Sequence, residues 1–166
     1  SNVIVIFTGL SASSHITSSS IDQSAGWWES MVGVDKAINT KDHYVICINT
    51  LGSCFGSTSP VSINEKTGEP YRLTFPELTV EDMANASYLL LKKIGIEHIK
   101  LLVGPSLGGM KAIAYCLLHN EHVDNIILIS TATQALPYAI ALRSLQREVI
   151  RKDPLWNNGF YEYEKP

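Results

Sequence analysis

The sequence predicts an α/β protein: a doubly wound, mostly parallel sheet with helices between its strands. Three observations predict it. Short, continuous apolar runs at Val3–Phe7, Tyr44–Ile48, 99–103 and 123–129 have the character of strands buried on both faces. Stretches with helical apolar spacing, 80–94 and Leu107–Leu118, fall between them. Buried strands alternating with helices mark crossover connections rather than hairpins.

The elements follow in order. Val3–Phe7 is the first strand, and residues 8–25, rich in Ser, Thr and Gly, are a loop. Residues 26–33, Gly-Trp-Trp-Glu-Ser-Met-Val-Gly, form a short helix or turn with two large aromatics. Tyr44–Ile48 is the second strand. Residues 49–75 are a long loop punctuated by Gly52, Gly56, Pro60, Gly68 and Pro70, and loops of that length are uncommon unless functional. Thr79-Val-Glu-Asp82 is a capping-box start. The helix it opens runs to about Ile94, with Met83, Ala86, Leu90 and Ile94 on one face, and Gly95 stops it. Strand 99–103, helix Leu107–Leu118 (apolar at Met110, Ile113, Ala114 and Leu117) and strand 123–129 complete the core. Residues 137–151 form a last helix, apolar at Leu142, Leu145 and Val149 and basic at Arg143, Arg147 and Arg151, which Asp153-Pro154 ends. No strand or helix signal follows. The chain thus divides into part of a core, 1–134, and the start of a helical appendage, 135–166.

The 166 residues suit one domain with a sizeable core. The net charge of −3 is made of mixed acidic and basic residues, so no basic block invites nucleic acid. No apolar run has membrane-spanning length. Ser1-Asn2 leads straight into a core strand, so a segment upstream is expected. Cys47, Cys54 and Cys116 have no metal-ligand spacing and read as small buried hydrophobes of a reducing, cytoplasmic compartment. No metal site and no bound cofactor is expected.

The most informative stretch is Val103-Gly-Pro-Ser-Leu-Gly-Gly-Met110. Gly104, Ser106 and Gly108 satisfy G-x-S-x-G, the nucleophile elbow of α/β-hydrolases, and they stand between a predicted strand and a predicted helix. A serine hydroxyl becomes an effective nucleophile only when held exposed at a sharp turn beside a base. Ser106 is therefore the candidate nucleophile. Its oxyanion hole is assigned to two backbone amides: that of Leu107, and one from the end of the first strand, near Phe7-Thr8-Gly9, with Phe7 as the preferred donor. The base is harder to find. His119 and His122, at the far end of the elbow helix, are roughly 20 Å from the serine and read as surface residues. His43 and His98 read as turn residues. His15, in the Ser-rich loop, could approach the site but precedes the serine in the chain, so the sequence supplies a nucleophile without a credible base.

Several segments together resemble the homoserine O-acyltransferase family of α/β-hydrolase enzymes. They are Gly26-Trp-Trp-Glu, Lys36-Ala-Ile-Asn-Thr, Asn49-Thr-Leu-Gly-Ser-Cys-Phe-Gly-Ser-Thr-Ser-Pro, Ile63-Asn-Glu-Lys-Thr-Gly-Glu-Pro-Tyr71 and Gly104-Pro-Ser-Leu-Gly-Gly-Met110. The resemblance covers nearly the whole chain. Pro105 departs from the glycine common before the nucleophile. Residues 135–148 look closest to members that acylate serine. The resemblance implies a partial α/β-hydrolase core followed by the start of a helical lid. It also implies a ping-pong reaction in which acyl-CoA, a co-substrate, acylates Ser106 and the hydroxyl of homoserine or serine takes the acetyl or succinyl group. This is a step of methionine or cysteine biosynthesis, in a homodimer formed through the lid. The family's catalytic Asp and His, and its arginine for the amino-acid carboxylate, match no position here, so the isolated chain is expected to be inactive or nearly so.

Arg143, Arg147 and Arg151, at i, i+4 and i+8, share one helix face. They form either a solvated lid surface, with Glu148 pairing to Lys152, or a site where Arg143 and Arg147 attract the phosphates of the acyl donor. Two other functions stay open: a serine esterase on the same fold, and a non-catalytic partner whose exposed sheet edge pairs with another chain.

Overall fold

The structure, a computed structural model, describes residues 2–161. Strand β1 (Val3–Phe7) is buried at every position. A small parallel pair follows, β2 (Val32–Gly33) and β3 (Ile38–Asn39), then β4 (Tyr44–Ile48). The rest is α1 (Val80–Lys93), β5 (Leu101–Pro105), α2 (Leu107–Leu118), β6 (Ile126–Ile129) and α3 (Pro137–Lys152). The main sheet has the order β4-β1-β5-β6, with every pair parallel. The chain winds from β1 outward to β4, crosses back to β5, and continues to β6, which is the doubly wound path. Its reversal lies between β1 and β5, and the crevice beyond the carboxyl ends of two such strands is where these sheets hold ligands.

Helices α1 and α2 cover one face, packing Leu91, Ala112 and Tyr115 on Val5, Phe7 and Leu102. The other face, with Ile4, Ile6 and Val103, is covered by Ile16, Val32 and Ile38 from irregular chain, with Trp28 and Met31 beside them. Glu29 of the Gly-Trp-Trp-Glu segment organises that cover. Its carboxylate accepts from the Ser18 and Gly26 amides at 2.7 and 3.0 Å and from the Lys36 ammonium at 3.1 Å. Those amides, first Ser18 and then Gly26, with the Lys36 ammonium, hold it well below the usual carboxylate range. A side chain at Gly26 would stand 2.1 Å from the Ile16 carbonyl carbon, so only glycine fits the crossing.

The capping box at Thr79 and Asp82 is present, with both reciprocal hydrogen bonds, and Gly95 follows α1 at φ 80°. The buried stripes differ from those expected. Helix α1 buries Ala84, Ser87 and Leu91, and α2 buries Gly108, Lys111, Ala112, Ala114 and Tyr115, while Leu117 is 80% exposed. The two helices pack on each other as well as on the sheet, which rotates their apolar positions relative to a simple helix-on-sheet pattern. Strand β5 starts at Leu101, because Ile99 makes only an isolated bridge to Val123, and β6 starts at Ile126 for the same reason. Its four residues are each at least 36% exposed, so β6 is an uncovered sheet edge among the described residues. Cys54 is exposed on the long loop rather than buried.

Helix α3 buries none of its residues. It packs against a 3-10 segment, Pro154–Gly159, that the sequence did not signal. Asp153 caps that segment by accepting from the Leu155 amide at 2.9 Å. Arg72 of the long loop donates to the Gly159 carbonyl at 2.6 Å and sets its guanidinium 4.3 Å from the centre of the Phe160 ring. The last part of the appendage, 162–166, lies outside the described residues. Among the described residues, no helix is long and apolar enough to cross a membrane.

Candidate active site

Strand β5 ends at Pro105 and α2 begins at Leu107. Ser106 stands between them at φ 53° and ψ −120°, and is exposed. A non-glycine residue held in such a region costs about 1–3 kcal/mol and persists only where its surroundings over-determine it. Those surroundings are visible. The Ser106 amide donates to the Ile129 carbonyl at 2.9 Å, and the Thr131 hydroxyl donates to the Ser106 carbonyl at 2.7 Å. Three glycines let strand and helix close on one another. A Cβ at Gly104 would lie 2.4 Å from the Gly108 carbonyl oxygen, one at Gly108 2.4 Å from the Phe7 carbonyl oxygen, and one at Gly109 2.5 Å from the Thr131 methyl.

A cavity of about 620 Å³ opens at the elbow, at the carboxyl ends of β1 and β5, lined by Leu10, Ser106, Leu107, Met110, Arg143 and Arg147 among others. It brings together four of the five residues singled out from the sequence. Phe7 is the exception. It lies inside β1, fully buried, with its carbonyl against Gly108. The chain reaches the serine two residues later: a Cβ on Gly9 would be 3.8 Å from the Ser106 Cβ, and Leu10 lines the cavity. The strand runs to its last apolar residue, so the loop that turns over the elbow begins only after Thr8. The Leu107 amide sits in the first turn of α2, where N–H groups lack intrahelical acceptors and the helix end is positive.

Arg143 donates to Gln146 at 2.9 Å and Arg147 to Ser144 at 3.0 Å, and neither pairs with a carboxylate among the described residues. Arg151 pairs with Glu148 at 3.1 Å, in place of the expected Glu148–Lys152 pair.

No described imidazole lines this cavity. His15 is held in its own loop. Its Nε2 is 3.0 Å from the Ser24 carbonyl and 3.1 Å from the Ser24 hydroxyl, and Nδ1 is 3.6 Å from Asp22. Ser, His and Asp meet there, yet the Ser24 hydroxyl donates to Asp22 at 2.6 Å, so its proton faces a carboxylate and not a base. His43 and His98 bond to Asn39 and Asp124. His119 stacks on Tyr88 at 3.8 Å and bonds Asn85. His122 is buried rather than on the surface, between the Tyr115 hydroxyl at 2.6 Å and the Ile96 carbonyl at 3.1 Å. Burial pushes both of these imidazoles below their ordinary value.

Lys111 is a lysine inside the core, at a position with no charged pattern around it. It is fully buried, with its ammonium 4.0 Å from the centre of the Phe7 ring and no hydrogen-bond partner among the described residues. Burial brings it down to about 7. The signal that could have found it is its i+4 spacing from Leu107, on the side of α2 that faces β1.

A family model described as alpha/beta hydrolase fold matches residues 2–166. The chain is 51% identical over 162 residues to a serine O-succinyltransferase of Stenotrophomonas maltophilia, covering 98% of this chain and 44% of that protein. It is 52% identical over 160 residues to a serine O-succinyltransferase of Litchfieldella anticariensis, covering 96% and 44%. The chain thus spans less than half the length of these relatives. Among solved structures, homoserine O-acetyltransferase from Bacillus anthracis superposes with a TM-score of 0.91 at 34% identity, over 98% of this chain and 46% of that one. Esterase E22 superposes with a TM-score of 0.88 at 36% identity, over 99% and 47%. The resemblance to homoserine O-acyltransferases is borne out by these relatives.

Proposed function

Because the chain belongs to the α/β-hydrolase family, we propose that Ser106 is the nucleophile of an acyltransferase that moves an acyl group from a coenzyme A thioester to the side-chain hydroxyl of serine or homoserine. The observation that carries this reading is the conformation of Ser106, exposed and strained at the strand-to-helix turn, in one cavity with two guanidinium groups that no carboxylate neutralises among the described residues. In the first half-reaction Ser106 Oγ attacks the thioester carbonyl, its proton passes to a base, and the thiolate leaves as thiol. In the second, the acceptor hydroxyl gives up its proton and attacks the acyl-serine ester, which regenerates Ser106. Each half passes through an oxyanion held by the Leu107 amide and an amide at Gly9–Leu10. Arg143 and Arg147 supply positive charge for an anionic donor. The base and its carboxylate come from outside the described residues. The acceptor and donor identities, a cytoplasmic location and a dimer through the α3 region belong to the same reading.

A second reading, an esterase, is favoured by the likeness to esterase E22. The two differ only in what attacks the acyl-serine. Full-length protein given an acyl thioester with serine, homoserine or neither should pass most of the acyl group to an amino acid. Equal release of free acid with and without the amino acids supports the esterase instead.

A further inference from the structure

The end of β6 returns to the elbow at two points. Pro105 pairs with Ile129, and the next amide, that of Ser106, continues the ladder by donating to the Ile129 carbonyl at 2.9 Å. Ser130 then turns the chain at φ 48°, a left-handed conformation that a non-glycine residue keeps only where its surroundings hold it. The turn sets the Thr131 side chain against the start of α2, where its hydroxyl donates to the Ser106 carbonyl at 2.7 Å. A Cβ on Gly109 would stand 2.5 Å from the Thr131 methyl. Gly109 lies outside the G-x-S-x-G pattern, and the room it leaves is filled by Thr131.

The carbonyl that Thr131 holds belongs to the same peptide unit as the Leu107 amide. That unit is planar, with its C=O and N–H fixed in opposite directions, so an anchor on the oxygen fixes the aim of the N–H. The oxygen also accepts from the Gly109 and Met110 amides, at 3.0 and 3.3 Å, as the first acceptor of α2. Those two donors belong to the helix and move with it. Thr131 comes from another element and ties the unit to the sheet. Each donor on the oxygen also draws electron density from the nitrogen, which strengthens the N–H as a donor in its turn.

We infer that Thr131 is a positioning residue for the oxyanion: through the Ser106 carbonyl, its hydroxyl aims and polarises the Leu107 amide that receives the negative oxygen. The inference rests on Ser106 being the acylated residue. Thr131 takes no part in bond making, and its proton stays on its own oxygen throughout. A donor already aimed at the oxygen needs no reorganisation as charge develops, whereas an amide free to tilt does. The contribution of Thr131 therefore falls on the rate of acylation and not on the binding of the donor.

The test uses full-length protein with acetyl- or succinyl-coenzyme A and reads the acylation of Ser106 by rapid-quench intact mass. That step is common to a transferase and an esterase. Thr131→Val removes the hydroxyl and keeps a methyl beside Gly109, while Thr131→Ser does the reverse. A second probe is a short alkyl trifluoromethyl ketone. Ser106 Oγ adds to its carbonyl carbon, the serine proton passes to the base, and the ketone oxygen becomes the oxyanion, so its affinity reads how well that oxygen is held. Losing an oxyanion donor outright costs about 100- to 1,000-fold, and Thr131→Val, which only weakens one, should slow maximal acylation about tenfold. The donor concentration at half-maximal rate should move by less than about twofold, as for a group that acts only on the transition state. The ketone should bind Thr131→Val more weakly by the same factor, and Thr131→Ser should restore both quantities. Four results overturn the inference and leave the nucleophile in place: a valine variant equal to wild type, a serine variant as slow as the valine one, a valine variant whose loss lies in the half-maximal concentration, or slower acylation with the ketone affinity unchanged. Wild-type protein whose Ser106 neither donor acylates overturns the nucleophile, and the role of Thr131 with it.

Discussion

Gly108 and Phe7 meet so closely that a Cβ on Gly108 would stand 2.4 Å from the Phe7 carbonyl oxygen and 2.8 Å from its carbonyl carbon. The contact joins the first turn of α2 to the last residue of β1, and so sets how near the Leu107 amide comes to the chain at Gly9 and Leu10. Glycine in G-x-S-x-G is here a spacing device between two backbones, because neither partner is a flexible side chain that can give way.

Gly108→Ala should therefore push α2 off β1. The expected loss is about 2–4 kcal/mol of unfolding free energy, together with a fall in acylation rate larger than the stability loss explains. Urea unfolding and acylation kinetics check both. An unchanged midpoint would show that the helix relaxes freely at this point.

Much of this arrangement was legible in the sequence. The apolar run of β1, the Thr79/Asp82 box and the Gly104–Ser106–Gly108 spacing are local signals, and each stands where the pattern put it. What was not legible depends on contacts between distant segments. Which amide at the Phe7-Thr8-Gly9 strand end comes nearest the serine is not legible, because a sequence shows where a strand's apolar run ends, and not where the following loop turns. His122 reads as a surface residue in the sequence because its partners, Tyr115 and the Ile96 carbonyl, arrive from α2 and from the chain after α1. Lys111 was passed over because a lysine amid helix residues reads as solvated. Only the packing of α2 on β1 buries it over the Phe7 ring.

Lys111 gives a stability signature in alkali. Its ordinary value of 10.5 applies in the unfolded chain, while burial holds it at about 7 in the folded one. Between those values the unfolded state binds more protons, so stability rises with pH. Below pH 7 both states are protonated and the cost of the buried charge is fully present. Lys111→Met should raise stability at pH 7 by about 2–4 kcal/mol and flatten the rise between pH 7 and 10.5. Denaturant unfolding across that range measures it. A wild-type profile with no rise there would mean that the ammonium finds a partner.

His119 and His122 act in the acid range. Burial lowers both in the folded state, so as pH falls below the unfolded value near 6.5 the unfolded chain takes up protons first and stability drops. His122→Gln should reduce this acid sensitivity. NMR titration of the imidazoles should place His122 below 6.5; a value above it reverses the sign and contradicts the burial argument.

Arg143 and Arg147 should serve the donor. In full-length protein, Arg143→Ala or Arg147→Ala should raise the KM for acyl-coenzyme A by about tenfold, the scale of one charge-assisted contact. The effect on a short acyl thioester without the nucleotide should be smaller. Equal effects on both donors remove the phosphate role and leave the arginines to the acyl group or to the packing of α3.

The central claim is that Ser106 carries the acyl group. Full-length protein mixed with an acyl thioester and quenched within the first turnover should show one covalent adduct, located by peptide mass mapping on Ser106. Ser106→Ala, with an unfolding midpoint close to wild type, should show neither adduct nor transfer. Turnover or acylation that survives in Ser106→Ala, or an adduct found on another residue of the wild-type protein, contradicts the account.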